Sequence, residues 1–294
     1  MASRRLPSSR LIFGQKDFRL PGIVMFGRYQ HAAAVSAIPP HAHRDELEVC
    51  FLERGEQTFR VKGLAHRMRG NDQFFTLPDE IHDTANLPEE RGILYWLIIR
   101  LEPTRKFLGL SEPQASRLKR ELRRMPTRHF RGHPDCARIL GEMTDLLSEK
   151  RSASWGLNRA YRQLRLQSLL LHYLTLTVEA SHRGAKGSAT PLMQRVLDYI
   201  ERHLDEPVHV PCLAETARLS ESRFKTRFKR ELGVPPAEYW LRKKIERAAV
   251  LLKTHSVTEV ALDLGFSSSQ YFATVFKRYT LNNPSQFRAA QAAH

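Results

Sequence analysis

Cysteine is scarce in this chain. Three thiols, Cys50, Cys136 and Cys212, are scattered through 294 residues and form no CxxC pair. An odd, dispersed set excludes a disulfide-stapled scaffold and a cysteine-built zinc finger, and fits reduced thiols in a cytoplasm. Long apolar runs are missing too. The longest, ILYWLII at 93–99, falls far short of the roughly 20 residues that span a bilayer. The basic start, MASRRLPSSRLIF, has no apolar stretch of signal-peptide length. Acidic residues are in deficit, 31 against 47 basic ones, which leaves a net charge of +16. That balance points to a polyanionic partner, nucleic acid ahead of membrane. The expectation is a soluble cytoplasmic protein with no membrane association.

What is present suits more than one globular core: 41% hydrophobic and 27% charged residues over a length that fits two domains. Residues 1–103 read as β structure. Runs such as LEVCFLE, QTFRVKG and ILYWLIIRL alternate only partly and are broken by GNDQ and LPDE, as in a small barrel or sandwich. Residues 104–181 read as helical, with Leu157, Tyr161, Leu164, Leu171 and Leu174 at helical spacing. Residues 182–190 are small and polar and read as a flexible linker. Thr190-Pro191 looks like an N-cap followed by a first-turn proline, and 191–290 then reads as all helix. The fold class expected is an α+β multidomain chain. The basic excess does not single out the C-terminal third, since much of it lies in RLKRELRRMPTRHFRGH at 117–133. A case for DNA must therefore rest on pattern.

The pattern is a repeat. SESRFKTRFKRELG at 220–233 returns forty-eight positions later as SSSQYFATVFKRYT, each with Phe, three residues, Phe, Lys, Arg. On a helix, Phe224 and Phe228 form one buried stripe, and Phe272 and Phe276 another. Ser222, Thr226 and Lys229 fall opposite the first stripe with Lys225 on their flank. Ser269, Gln270, Ala273 and Thr274 lie outward on the second, with Lys277 and Arg278 behind. A short amphipathic helix precedes each copy. PCLAETARL carries Leu213 and Ala217 on one side, and VTEVALDL opens with a Ser256–Glu259 capping box and closes at Gly265. Short helix, tight turn and basic helix make a helix-turn-helix. An ordinary bundle also spaces Phe at i, i+4, but it does not repeat turn, cap and basic face together. The segment PAEYWLRKKIERAAVLLKT at 236–254 reads as one rigid spacer helix with Leu241, Ile245, Ala248 and Leu252 inward. It would hold two reading helices about one DNA turn apart.

These residues carry a resemblance. LAETARLSESRFKTRFKRELGVPPAEYW, IERAAVLLK, VTEVALDLGFSSSQYFATVFKRYT and PSQFR, within 192–288, resemble the DNA-binding domain of AraC/XylS-type transcription regulators. The resemblance implies base-reading candidates Ser222, Lys225 and Thr226 on the first helix and Ser269, Gln270 and Thr274 on the second. The basic residues Arg223, Lys229, Lys277 and Arg278 on the same two helices are further candidate DNA contacts. Three positions depart from the family: Thr226 and Thr274 stand where Arg is frequent, and Leu281 replaces the Gly expected after the second helix, leaving Asn282 or Asn283 to take the left-handed cap.

In the N-terminal part, PPHAHRDELEVCFLERGEQ and GNDQFFTLPDEIHDTAN supply His41, His43, Glu48 and His82 in an arrangement that resembles the cupin barrel. The Gly expected before the first His is missing, Glu80 stands near the expected Gly of the second motif, and the Pro-to-His spacing is one residue short. Histidines two apart on a strand share a face, so three imidazoles and a carboxylate could meet on one iron, manganese, zinc or nickel ion. The preferred reading keeps these residues as the polar wall of an effector pocket without metal or other cofactor, with Trp96 and Tyr95 as a stacking surface for a sugar. The family resemblance implies a one-component regulator, not an enzyme. Its partners would be double-stranded DNA, a small-molecule effector, a second copy joined through 104–181, and RNA polymerase. The rival is a metal-dependent cupin enzyme with an accessory DNA-binding domain.

Overall fold

A computed structural model describes residues 9–102, 105–148, 159–184 and 190–292. Among these residues nine strands form two antiparallel sheets. They are β1 (Ser9–Gly14), β2 (Ile23–His31), β3 (Glu46–Arg54), β4 (Glu56–Val61), β5 (Leu64–Arg69), β6 (Asp72–Thr76), β7 (His82–Asp83), β8 (Gly92–Arg100) and β9 (His129–Arg131). One sheet runs β1-β2-β8-β3-β6-β9 and the other β5-β4-β7. A short helix α1 (Gln15–Phe18) follows β1.

The incomplete alternation of ILYWLII has a physical reason. Leu94, Trp96 and Ile98 of β8 enter the core between the two sheets, with Cys50, Leu52, Phe59 and Phe74. Their neighbours Ile93, Tyr95, Leu97 and Ile99 point the other way, into a core shared with the helices. A strand buried on both faces has no polar side to alternate with. Tyr95 and Trp96 therefore cannot form one stacking surface.

The covering helices are α2 (Glu112–Arg123), α3 (Cys136–Ser148) and α4 (Arg159–Arg183). The stretch 104–181 is not wholly helical, because it also supplies β9, which pairs with β6 at the sheet edge. The stripe expected on α4 is corrected in part: Leu171 and Leu174 face the core as expected, but its earlier described members do not. Tyr161 and Leu164 are exposed, while Leu166, Leu170, Tyr173 and Leu174 pack inward; Leu157 lies outside the described residues. Buried Gln73 locks this layer to the sheet through Tyr173 Oη at 3.1 Å and Thr177 Oγ1 at 2.8 Å. Of the expected linker, 185–189 lies outside the described residues and α4 continues to Arg183.

Among the described residues seven helices follow: α5 (Pro191–Arg202), α6 (Val210–Thr216), α7 (Glu221–Leu232), α8 (Pro236–Leu251), α9 (Val257–Asp263), α10 (Ser269–Thr280) and α11 (Pro284–Ala292). Thr190 caps α5 by accepting from the Met193 N–H, and Ser256 and Glu259 close the capping box of α9. The helices make two small cores. One holds Leu213, Phe224, Phe228 and Trp240, and the other Ile245, Ala248, Phe272 and Phe276. After α10 it is Leu281 itself that turns left-handed, at φ 71°, not Asn282 or Asn283. A branched side chain there stores about 1–2 kcal/mol that glycine would not.

Candidate nucleic-acid interface and barrel site

The two Phe pairs stack alike. Phe224 and Phe228 meet edge to face at 5.5 Å, and Phe272 and Phe276 at 5.6 Å, all fully buried. Each buried ring contributes roughly 1.5–3 kcal/mol, which pins its helix and leaves the opposite face free. On α7 that face carries Ser222, Arg223, Lys225, Thr226 and Lys229, all exposed. Lys225 reaches back to Glu221 at 2.5 Å, a surface pair that a phosphate or base edge can replace. Thr226 Oγ1 donates to Ser222 O at 2.9 Å, and Thr274 Oγ1 to Gln270 O at 3.0 Å. With their hydrogens committed to the helix, these hydroxyls face outward as acceptors.

On α10 the candidate residues divide. Gln270 is exposed and Ser269 half-buried at the start of the helix, where Ser268 accepts from the Tyr271 N–H at 3.1 Å. Thr274, Lys277 and Arg278 instead line a cleft of about 750 Å³ opposite Arg54 and Arg91 of the β domain. Arg278 O accepts from the Ala34 N–H at 2.9 Å, and both residues line that cleft.

This contact belongs to a wider seam. The outer row of α8 docks on the β domain: Glu238 pairs with Arg54 at 3.0 Å and Arg91 at 2.8 Å, and Arg242 with Glu56 at 3.2 Å and also with Glu90. Glu246 pairs with Arg67 and Arg242. Burial pushes Glu90 up to about 7, against the pull of the Arg242 guanidinium. Sequence reasoning missed all of this. Each charge reads locally as a solvated face, and its partner lies well over a hundred residues away.

In the β domain, His41, His43, Glu48 and His82 do come together, with one ligand atom from each within 4.8 Å of the others. β3 holds Glu48, and a backbone bridge joins His41 to His82. His82 Nδ1 lies 2.9 Å from Glu80 O, and His41 Nδ1 2.9 Å from Pro39 O. Those carbonyls can only accept, so both Nδ1 atoms carry hydrogen and a neutral ring is left with a bare Nε2. His82 Nε2 then sits 2.9 Å from a Glu48 oxygen, and His43 Nε2 3.5 Å from it. Both Nε2 atoms are buried without a well-directed hydrogen-bond partner. Lone pairs facing a carboxylate need a proton or a cation between them. Burial alone would raise Glu48, but the His43 and His82 rings beside it, when they carry the extra proton on Nε2, hold it down to about 2. Glu80, the departure noted in the second motif, is paired with Arg128 at 2.6 Å and Lys62 at 2.8 Å, which steadies the loop that aims His82.

Trp96 is on the same inner face, paired across the ladder with Cys50, not Glu48. Its ring is covered. Gly27 backs onto it so closely that a Cβ would collide, and the Arg10 guanidinium lies 4.9 Å from its centroid. It offers no open face for a sugar to stack on.

Residues 22–174 match the AraC-like ligand binding domain family, which is more than half of the chain, and residues 213–290 match a helix-turn-helix domain family. The curated relatives include an uncharacterised HTH-type transcriptional regulator of Staphylococcus aureus. It is 32% identical over 134 residues, 45% of this chain and 18% of that protein. The probable transcriptional regulator LumQ of Photobacterium leiognathi is 33% identical over 93 residues, 31% of this chain and 38% of that one. The chain thus spans under two-fifths of the length of either relative. Among solved structures, the DNA-binding domain of the global transcriptional factor AdpA, in complex with a target DNA, is 33% identical. The match covers 36% of this chain and 96% of that domain, with a TM-score of 0.34.

Proposed function

Because the chain belongs to the family of regulators with an AraC-like ligand binding domain, we propose that it is a sequence-specific DNA-binding transcription regulator, governed by a small molecule bound in its β domain. The observation that carries this reading is the repeated helix-turn-helix, with two matching Phe anchors and two polar outer faces. It works on double-stranded DNA in the cytoplasm. A second copy docks across the exposed Tyr161 and Leu164 of α4, and RNA polymerase is a further partner. Selection of bound duplexes from random DNA tests the reading. Lys225→Ala and Gln270→Ala are each expected to weaken the selected site by about 1–3 kcal/mol and to relax base choice at different positions. Recovery of no common sequence would refute it.

A second reading concerns the histidine cluster. The buried Nε2 atoms of His43 and His82 facing Glu48 support a divalent transition metal held by His41, His43, Glu48 and His82. Such an ion would supply a fixed positive charge able to draw an oxygen-bearing effector. Elemental analysis of the purified full chain is expected to find about one zinc, iron, manganese or nickel ion per chain, as four converging ligands predict. His82→Ala, checked for folding by circular dichroism, is expected to lose it. Metal-free wild-type protein that cannot be loaded would leave the cluster as pocket wall alone.

A further inference from the structure

Lys244 sits in the middle of α8 and is 1% exposed, although it carries an ammonium group. Its Nζ donates to Leu264 O at 2.6 Å and also to Glu206 O. Leu264 closes α9, the first helix of the second helix-turn-helix. Glu206 lies in the connection between α5 and α6, in the first half. One side chain on the spacer therefore grips one carbonyl from each half.

The two gripped segments also touch directly. Gly265, at φ 61°, packs against the connection so closely that a Cβ would fall 2.9 Å from the Glu206 carbonyl carbon and collide with Asp205 O. Among the described residues, the hydrophobic clusters of the two halves are otherwise separate and share only the partly buried Leu204. Apolar contact is non-directional and tolerates rotation, whereas hydrogen bonds from a buried ammonium are directional. The ammonium is kept at a penalty. Burial disfavours its charge, Asp205 and Glu206 favour it, and the balance holds Lys244 down to about 8. A group buried at such a penalty, whose two carbonyl partners come one from each half, helps specify their relative orientation.

We propose that Lys244 is the positioning residue that fixes the rotational phase between α7 and α10, so that both engage one face of the same duplex. The inference rests on the regulator reading above and deepens it. Without Lys244 the two halves remain folded on their own cores and still bind DNA. What they lose is the coupling that makes the second engagement follow from the first.

The test uses the full chain and a duplex recovered by selection with the wild-type protein. A second duplex carries five base pairs inserted between the two protected segments, about half a helical turn. A third has one segment scrambled. Wild type is expected to prefer the native spacing over the insertion by roughly a hundredfold, the loss of one whole half-site. Lys244→Met fills the same volume without donors. It is expected to bind the scrambled duplex as wild type does, while the spacing preference falls roughly tenfold or more as two charge-assisted hydrogen bonds are lost. Leu204→Ala, which removes only the apolar bridge, is expected to keep the preference. If the methionine variant fails to fold by circular dichroism, Lys244→Gln is judged by the same ratio. An unchanged spacing preference in the folded Lys244 variant would overturn the inference and leave the regulator reading intact, as would a wild-type protein indifferent to spacing. Failure to select any sequence would remove both.

Discussion

A Gly70→Ala substitution is expected to pry the β domain away from the first helix-turn-helix while both keep their folds. Gly70 lies in the turn between β5 and β6 and touches Gly233, the left-handed C-cap of α7 at φ 74°. A Cβ on Gly70 would fall 2.8 Å from the Gly233 carbonyl carbon and oxygen, which is backbone and cannot swing aside. Gly70 itself has no positive φ, so alanine brings no strain of its own to the turn. The overlap, of a kind that typically destabilises by about 1–3 kcal/mol, is relieved by opening the seam. Arg131, which bonds Gly70 O at 2.7 Å and also Arg230 O, then loses its bridging geometry. Amide exchange at Gly233 and along the docked face of α8 should accelerate by roughly 10–100-fold, since each 1.4 kcal/mol is a factor of ten. Exchange in the core strands β3 and β8 should not change. Identical exchange maps for variant and wild type would mean that the backbones do not meet in solution.

The second large effect is on α8 itself. Ala248 is fully buried against Ile245, Leu252 and Phe276 in the second core. Proline there removes a backbone donor and drives its ring into the preceding turn, at about 3 kcal/mol or more. The same helix packs Tyr239 and Trp240 into the first core and carries Arg242 and Glu246 of the seam. A bend at Ala248 therefore turns α10 relative to α7. Specific binding by Ala248→Pro is expected to drop at least a hundredfold, the equivalent of about 3 kcal/mol. Ala248→Ser keeps the helix and is expected to lose only a few-fold. Equal losses would trace the effect to packing at this position and away from the spacer.

The C-terminal half was legible because its information is local. Phe pairs at i, i+4, the Ser256–Glu259 box and the Thr190 cap all lie within one or two helical turns, and each occupies its expected place. The histidine cluster was legible for a related reason. His41 and His43 meet as their spacing implied, although they lie in the connection before β3 and not on a strand, and the return of His82 had to be guessed. What escaped depends on distant partners. β9 is three residues long and is a strand only because β6 offers it an edge. Exposed Tyr161 and Leu164 are apolar like the buried positions of α4, so periodicity joined them to Leu171 and Leu174, which do pack inward. Trp96 was readable as aromatic but not as covered, because Gly27 and Arg10 come from other strands. Lys244 looked like one more cation on a basic helix. Only the meeting of two remote carbonyls made it a core residue.

The matched charges along α8 bear on how such chains change by recombination. Glu238, Arg242 and Glu246 alternate in sign along one helix, and the β domain answers with Arg54 and Arg91, then Glu56 and Glu90, then Arg67. A foreign DNA-binding domain grafted behind residue 190 would meet this lettering with its own. One reversed sign leaves a buried carboxylate or guanidinium facing its like. Exchange of halves between relatives is thus constrained at the outer row of a single helix, and a working chimera would have to inherit α8 from the parent that supplies the β domain.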